Sequence, residues 1–317
     1  MNTIIELWAQ IIWPLCKLIG LVSLGLLVGN LIEAMHWTRF MARLAQPLAR
    51  VGRLCEISAA SFSVAFVSGI TANTMLAEAY DQGTLTRREL ILSNLFNSLP
   101  TYFLHLPSMI FITVPILKSA AVVYLAITVG AALLRSVCIL LVGRVLLTGL
   151  DRCHAAEMPG NERRDMRTVM DKTWKRFRRR IKKIMIITVP VYIGVHLMYK
   201  YGIFAAMEHF LATHMSGLSW LHPQAVGIIV FQLAAEFSAG MAAAGALLEA
   251  GSMPERDVVI ALLVGNVLSS PMRAFRHQFP YYAGIFKPAL AMELIVCSQG
   301  FRAVSLIVCG VIYYWLA

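Results

Sequence analysis

The stretch that decides the fold is Gly69-Ile-Thr-Ala-Asn-Thr-Met-Leu-Ala-Glu-Ala-Tyr-Asp-Gln-Gly-Thr-Leu-Thr-Arg-Arg-Glu89, continued by Asn94-Leu-Phe-Asn-Ser-Leu-Pro100. A helix of small residues runs to Glu78, a turn follows at Gly83, and a second apolar run carries polar residues just ahead of a proline. The stretch Gly240 to Pro271, with Leu247-Leu-Glu-Ala-Gly251 and Met253-Pro-Glu-Arg-Asp257, repeats this plan. With Gly69 placed on Gly240, Ala72 meets Ala243, Glu78 meets Glu249, Ala79 meets Ala250 and Pro100 meets Pro271, all at one offset over 32 residues. With the offset changed by four, Arg135 falls on Arg302 and Gly143 on Gly310, and Pro14 resembles Pro190 near the start of each half. Matches that keep a common order point to a duplicated unit.

Around these stretches the chain is strongly apolar. Of its 317 residues 58% are hydrophobic and 14% charged, where soluble domains carry about 25% charged residues. Apolar runs recur at about 10 to 35, 58 to 80, 89 to 117, 119 to 148, 183 to 207, 223 to 250, 257 to 272 and 281 to 316. They are too long and too apolar for amphipathic strands, and suit membrane helices of about 20 residues. The expected fold is therefore an all-α polytopic transmembrane protein, with no room for a sizeable soluble domain. Glu6 and the lack of Lys or Arg before Lys17 disfavour a signal peptide, so the first apolar run is expected to stay as a helix. Cys16, Cys55, Cys138, Cys153, Cys297 and Cys309 show no CxxC pair, which predicts neither a disulfide framework nor a zinc site.

Charge sets the expected topology. The net charge is +11, and the 40 residues from Arg144 to Lys183, with 13 basic and 5 acidic side chains, hold +8 of it. Basicity confined to one linker argues for a cytoplasmic loop rather than a nucleic-acid surface. The stretch Trp37 to Ile57 holds Arg39, Arg43, Arg50 and Arg53, whereas its equivalent, Glu208 to His222, has no Lys or Arg. These stretches are expected on opposite faces, which makes the duplication two inverted-topology repeats with discontinuous helices. Residues 1–150 form the first repeat, 151–182 the basic cytoplasmic linker and 183–317 the second repeat, with both termini periplasmic or extracellular. Inverted repeats are an architecture of secondary transporters, whose sites lie at the midplane where helices are broken.

The quoted residues carry a family resemblance. A small-residue helix, a Glu before a Gly-containing turn, an acidic restart and a polar, Pro-broken helix resemble the nucleoside-recognition or Gate domain family. That family includes the membrane part of ferrous-iron transport protein B, the spore maturation proteins A and B and, more remotely, concentrative nucleoside transporters. The resemblance covers both halves and implies a membrane protein with a nucleoside-like solute. No GxxxxGK[ST] sequence is present, so the GTPase that accompanies iron-transport gates is missing. With two gates in one chain, the protein is similar to a fusion of the two spore maturation proteins.

The candidate site residues follow from polar groups in apolar runs. Asn94, Asn97 and Ser98 precede Pro100, and Asn266, Ser269 and Ser270 precede Pro271. Proline frees a carbonyl one turn earlier, while amides and hydroxyls both donate and accept. Such groups suit a nucleobase, a sugar or a small ion, or else hydrogen-bond helix to helix. Arg135 and Arg302 lie near the centres of their runs, where a charge costs about 2.5–3.5 kcal/mol or more unless it faces the bundle interior. They either bind an anionic group or serve a structural pair or carbonyl clamp. Glu236, one turn after Gln232, is a candidate for a coupling proton or cation, or an ion-pair partner of Arg302 or Arg135. Arg273, Arg276 and His277 gather beside aromatics as an anion-attracting mouth or as interfacial anchors. The histidines lack ligand spacing, so no metal is assigned, and no cofactor is expected.

The expected function is that of an inner-membrane, permease-like protein moving a small polar or anionic solute, and not an enzyme, since GxSxG and HExxH are missing. The alternative is a non-transporting membrane scaffold or regulatory component acting through its basic linker. Expected partners are the solute and anionic lipid at that linker, with a homo-oligomer left open and nucleic acid disfavoured.

Overall fold

A computed structural model describes residues 37–147, 224–234 and 237–316, with scattered positions between residues 8 and 24 and between 174 and 221. The described chain is helical, without strands. In the first half it forms α1 (Trp37–Val51), α2 (Glu56–Ala65), α3 (Gly69–Asp81), α4 (Arg87–Phe96), α5 (Ser98–Leu117) and α6 (Ser119–Leu146). In the second it forms α7 (Ala225–Ala234), α8 (Phe237–Glu249), α9 (Glu255–Arg273), a π turn at Ala274–Gln278, α10 (Phe279–Phe286) and α11 (Pro288–Leu316).

Several features of the first half recur in the second. The long helices α6 and α11 match, with 28 and 29 residues. Two residues past α3 and α8 stand Gly83 at φ 75° and Gly251 at φ 62°; immediately before α6 and α11 stand Lys118 at φ 53° and Lys287 at φ 68°. A left-handed residue ends a helix sharply, and glycine adopts it without a Cβ penalty. These markers shift the alignment from the gapless one: Glu78 lies within α3 and accepts from Gln82 Nε2 at 3.0 Å, whereas Glu249 is the last residue of α8. Helix ends therefore follow the glycines and not the glutamates.

The two proline sites differ in form. In the first half the interruption falls at Asn97, and Pro100 lies in the first turn of α5, where its missing N–H is no loss. Thr101 Oγ1 donates to the Asn97 carbonyl at 2.8 Å and occupies that acceptor. In the second half Pro271 lies inside α9, and the helical path continues through the π turn to Phe286. A π turn lets the helix absorb a lost hydrogen bond without ending.

Among the described residues, three helical stretches are long and apolar enough to cross a membrane: Ser119–Leu146, Glu255–Phe286 and Pro288–Leu316. The middle one is the most buried. On α6, Leu133, Val137, Leu141 and Val145 are exposed at every fourth residue, and on α11 Val304, Ile307, Val308, Val311 and Ile312 are exposed. Stripes of that size suit hydrocarbon better than water.

The chain divides into two compact units, each drawing on both halves of the sequence. Unit 1 comprises Met1–Leu104, Ser136–Gly194 and Phe279–Cys297; unit 2 comprises His105–Arg135, Val195–Gln278 and Ser298–Ala317. In each half, the segment that follows the proline site is exchanged into the other unit.

Unit 1 packs α2, α3 and α4 together, with α10 against α3. Phe62 stacks on Phe96 with ring centroids 4.1 Å apart. A capping box starts α4: Glu89 N–H donates to Thr86 Oγ1 at 3.3 Å, and Thr86 N–H donates to Glu89 Oε2 at 2.7 Å. The turn after α1 rests on α6, where a Cβ at Gly143 would lie 2.5 Å from the Gly52 carbonyl oxygen. Cys55, just ahead of α2, is disulfide-bonded. The expectation of no disulfide framework is corrected there, because pairing depends on Cα separation in the fold rather than on spacing in sequence.

Unit 2 has its core around Tyr124, Ile228, Ile229, Met241 and Leu262, with α7, α8 and α9 packed on one another. Close approach depends on glycine: a Cβ at Gly245 would come within 2.6 Å of Ile116 Cγ2.

Candidate functional site

Both units carry buried polar clusters, with different chemistry. In unit 1 the cluster is neutral and largely closed by its own hydrogen bonds. Ser58 and Ser93 hydroxyls lie 2.6 Å apart, Asn97 Nδ2 donates to Ser61 Oγ at 3.2 Å, and Ser61 Oγ donates to the Ser58 carbonyl at 2.9 Å. Asn94 Nδ2 donates to Asn73 Oδ1 at 2.9 Å and lies 3.2 Å from the Tyr282 hydroxyl. Ser98 is partly exposed at the first turn of α5. Such a network fixes helix against helix and suits the structural alternative for these residues.

In unit 2 the cluster carries charge. Helix α9 presents Asn266, Ser270 and Arg273 at i, i+4 and i+7, one stripe of a 3.6-residue helix. Asn266 Nδ2 donates to the Tyr124 hydroxyl at 2.9 Å. Its Oδ1 accepts from Arg273 Nη2 at 2.9 Å and from Arg302 Nη2 at 3.1 Å. Two guanidinium groups thus converge on one neutral oxygen. Ser270 Oγ donates to Gln299 Oε1, and Gln299 Nε2 donates to Gln278 Oε1 at 3.2 Å.

Beside this stripe, Gln232 of α7 is 2% exposed and lies against glycines of α8 and α9. A Cβ at Gly240 would be 2.1 Å from Gln232 Cγ, and one at Gly265 would be 2.3 Å from Gln232 Oε1. Neither end of the Gln232 amide has a hydrogen-bond partner, nor has the hydroxyl of Ser269, itself 2% exposed. Nearly all buried polar groups are satisfied in folded proteins, so these three atoms call for an explanation.

Of the sequence-predicted set, the structure joins Asn266 to Arg302, sets Ser269 and Ser270 on the same helix as Asn266 with Gln232 packed on it at Gly265, and places Asn94, Asn97 and Ser98 in unit 1. Arg135 is buried in unit 2, 7% exposed. Glu236 lies outside the described residues, as does most of the basic linker. Sequence reasoning set Arg273 at the mouth and missed its bond to Asn266, although the seven-residue spacing carries the signal. Nothing in sequence marks Tyr124 or Gln299, which reach the cluster from distant segments. Away from the cluster, Arg87 Nε and Nη2 donate to Glu293 Oε2 at 2.9 and 2.6 Å, and this bonding raises the Arg87 pKa above its ordinary value. Among the described residues no group of three or more His, Cys, Asp or Glu could hold a metal ion.

Three uncharacterized proteins of Methanocaldococcus jannaschii are similar to this chain. They are 26%, 25% and 22% identical to it, over 86%, 85% and 86% of this chain and 84%, 83% and 88% of their own lengths. No family model matches the chain, and no solved structure matches it.

Proposed function

We propose that the protein is a polytopic permease of the cell inner membrane that binds a small anionic solute in unit 2. The observation that carries this reading is the convergence of Arg273 and Arg302 on Asn266 Oδ1. Each guanidinium has five N–H donors in a rigid fork, which suits carboxylate and phosphate. Both arginines are half-buried, and charged side chains within apolar helical segments often mark substrate or ion pathways.

The duplicated order of helices and the exchange of segments between units support two gate-like repeats of inverted topology, with the basic linker cytoplasmic and the termini on the other side. The resemblance to nucleoside-recognition gate proteins fits a solute-handling role, while the arginines favour an anion over an uncharged nucleoside. The test is uptake by proteoliposomes containing the full chain, with radiolabelled lactate, malate and glycerol 3-phosphate set against uridine. Saturable uptake of an anion, reduced at least tenfold in Arg302→Ala, is expected. Uptake of uridine alone, or of none of the four, overturns the proposal.

A further inference from the structure

We propose that Gln232 and Ser269 form a neutral end of this site, selecting anions that also carry a hydroxyl or amide N–H group. The inference rests on the anion-binding reading above and adds the chemistry of the rest of the solute. Gln232 Nε2 and Oε1 and Ser269 Oγ are buried without a partner. The missing side chains of Gly240 and Gly265 are what admit the Gln232 side chain. Gly265 and Ser269 lie four residues apart on one face of α9, and Asn266 with its two arginines begins the adjacent stripe.

The three open atoms define what can complete them. Oε1 only accepts, Nε2 only donates, and the serine hydroxyl does both. A fully deprotonated inorganic anion offers acceptors alone and leaves Oε1 unmade, which is a standing penalty in a buried site. A carboxylate or phosphate ester bearing a hydroxyl or an amide N–H supplies both kinds of partner, with its charge toward Arg273 and Arg302. Sites built to hydrogen-bond a substrate hydroxyl discriminate strongly against the analogue that lacks it.

The test uses the purified full chain in detergent and three matched pairs: lactate with propionate, malate with succinate, and glycerol 3-phosphate with propyl phosphate. At least one hydroxyl-bearing member should bind ten times or more tighter than its deoxy partner, by calorimetry. In Gln232→Met and in Ser269→Ala that ratio should fall to near one, while affinity for the deoxy member stays the same. Ligand-free Gln232→Met, which removes an unsatisfied amide and keeps the volume, should melt at or above the wild-type temperature. The proposal is overturned if every pair binds equally, if none binds, or if the ratio survives in Gln232→Met. A lower melting temperature for ligand-free Gln232→Met also overturns it, by assigning the amide to an ordered water only. Failure of the anion-binding reading looks different: Arg273→Ala and Arg302→Ala would then leave the affinity of both members of a pair unchanged.

Discussion

Arg302, in the last apolar helix, and Asn266, 36 residues earlier, are joined by a 3.1 Å hydrogen bond from guanidinium Nη2 to amide Oδ1. The same oxygen accepts from Arg273, and the amide nitrogen is engaged by Tyr124. Asn266 therefore holds two cations in place with a dipole and no charge of its own.

Replacing that dipole by a charge should separate stability from binding. Asn266→Asp puts a carboxylate between the two guanidinium groups and converts two hydrogen bonds to a neutral acceptor into ion pairs, a gain of about 1–2 kcal/mol. The variant should melt higher than wild type and lose anion binding, because its own carboxylate occupies the positive centre. A binding constant equal to that of wild type by calorimetry would show that the arginines do not face the solute.

The glycine slot around Gln232 makes a coupled prediction. Gly265→Ala places a methyl where Gln232 Oε1 now lies, at 2.3 Å, and overpacking of this kind costs about 1–3 kcal/mol. In a Gln232→Ala background the added methyl has space, so the double variant should be more stable than the sum of the single effects. Strict additivity in thermal unfolding would contradict the packing described.

Gly143 and Gly310, paired by the internal repeat, should respond with opposite signs. A Cβ at Gly143 meets the Gly52 carbonyl oxygen at 2.5 Å, a backbone atom that cannot rotate away, whereas one at Gly310 meets Leu263 Cδ1 at an ordinary 3.6 Å. Alanine at 143 should destabilise by about 1–3 kcal/mol. At 310 it should stabilise by up to about 1 kcal/mol, the helix-propensity gain.

Lys118 and Lys287 hold left-handed backbone at the same point of each half. Such a conformation costs a residue with a Cβ about 1 kcal/mol. Lys118→Gly should therefore raise the melting temperature and Lys118→Val lower it, and indifference to both would mean that the turn relaxes.

The proposed inversion is open to labelling. Single cysteines replacing Arg43 and His214 in a background lacking native cysteines should react with an impermeant maleimide from opposite sides of sealed vesicles. Modification of both from one side refutes the inverted arrangement and leaves the binding predictions standing.

Helical character, the apolar spans and several of the polar positions in unit 2 were legible in the sequence, because they depend on composition and on spacing along one helix. Asn266, Ser270 and Arg273 fall on one stripe of α9 by periodicity alone. The turns at Gly83 and Gly251 were legible as turns, but the gapless alignment, which matches the glutamates, does not bring these two left-handed glycines together. It also treated Pro100 and Pro271 as equivalent, although one begins a helix and the other precedes a π turn.

Taken alone, the sequence determined that the protein is helical, apolar and carries helices long enough to cross a membrane, since hydrophobic run length is a local property of the chain. Only the tertiary structure decided which polar cluster closes on itself and which leaves open valences. That outcome depends on Tyr282 reaching Asn94, on Arg302 reaching Asn266, and on two glycines far apart in sequence clearing a slot for Gln232. Hydrogen-bond satisfaction is a property of groups brought together by packing, and no residue carries it alone.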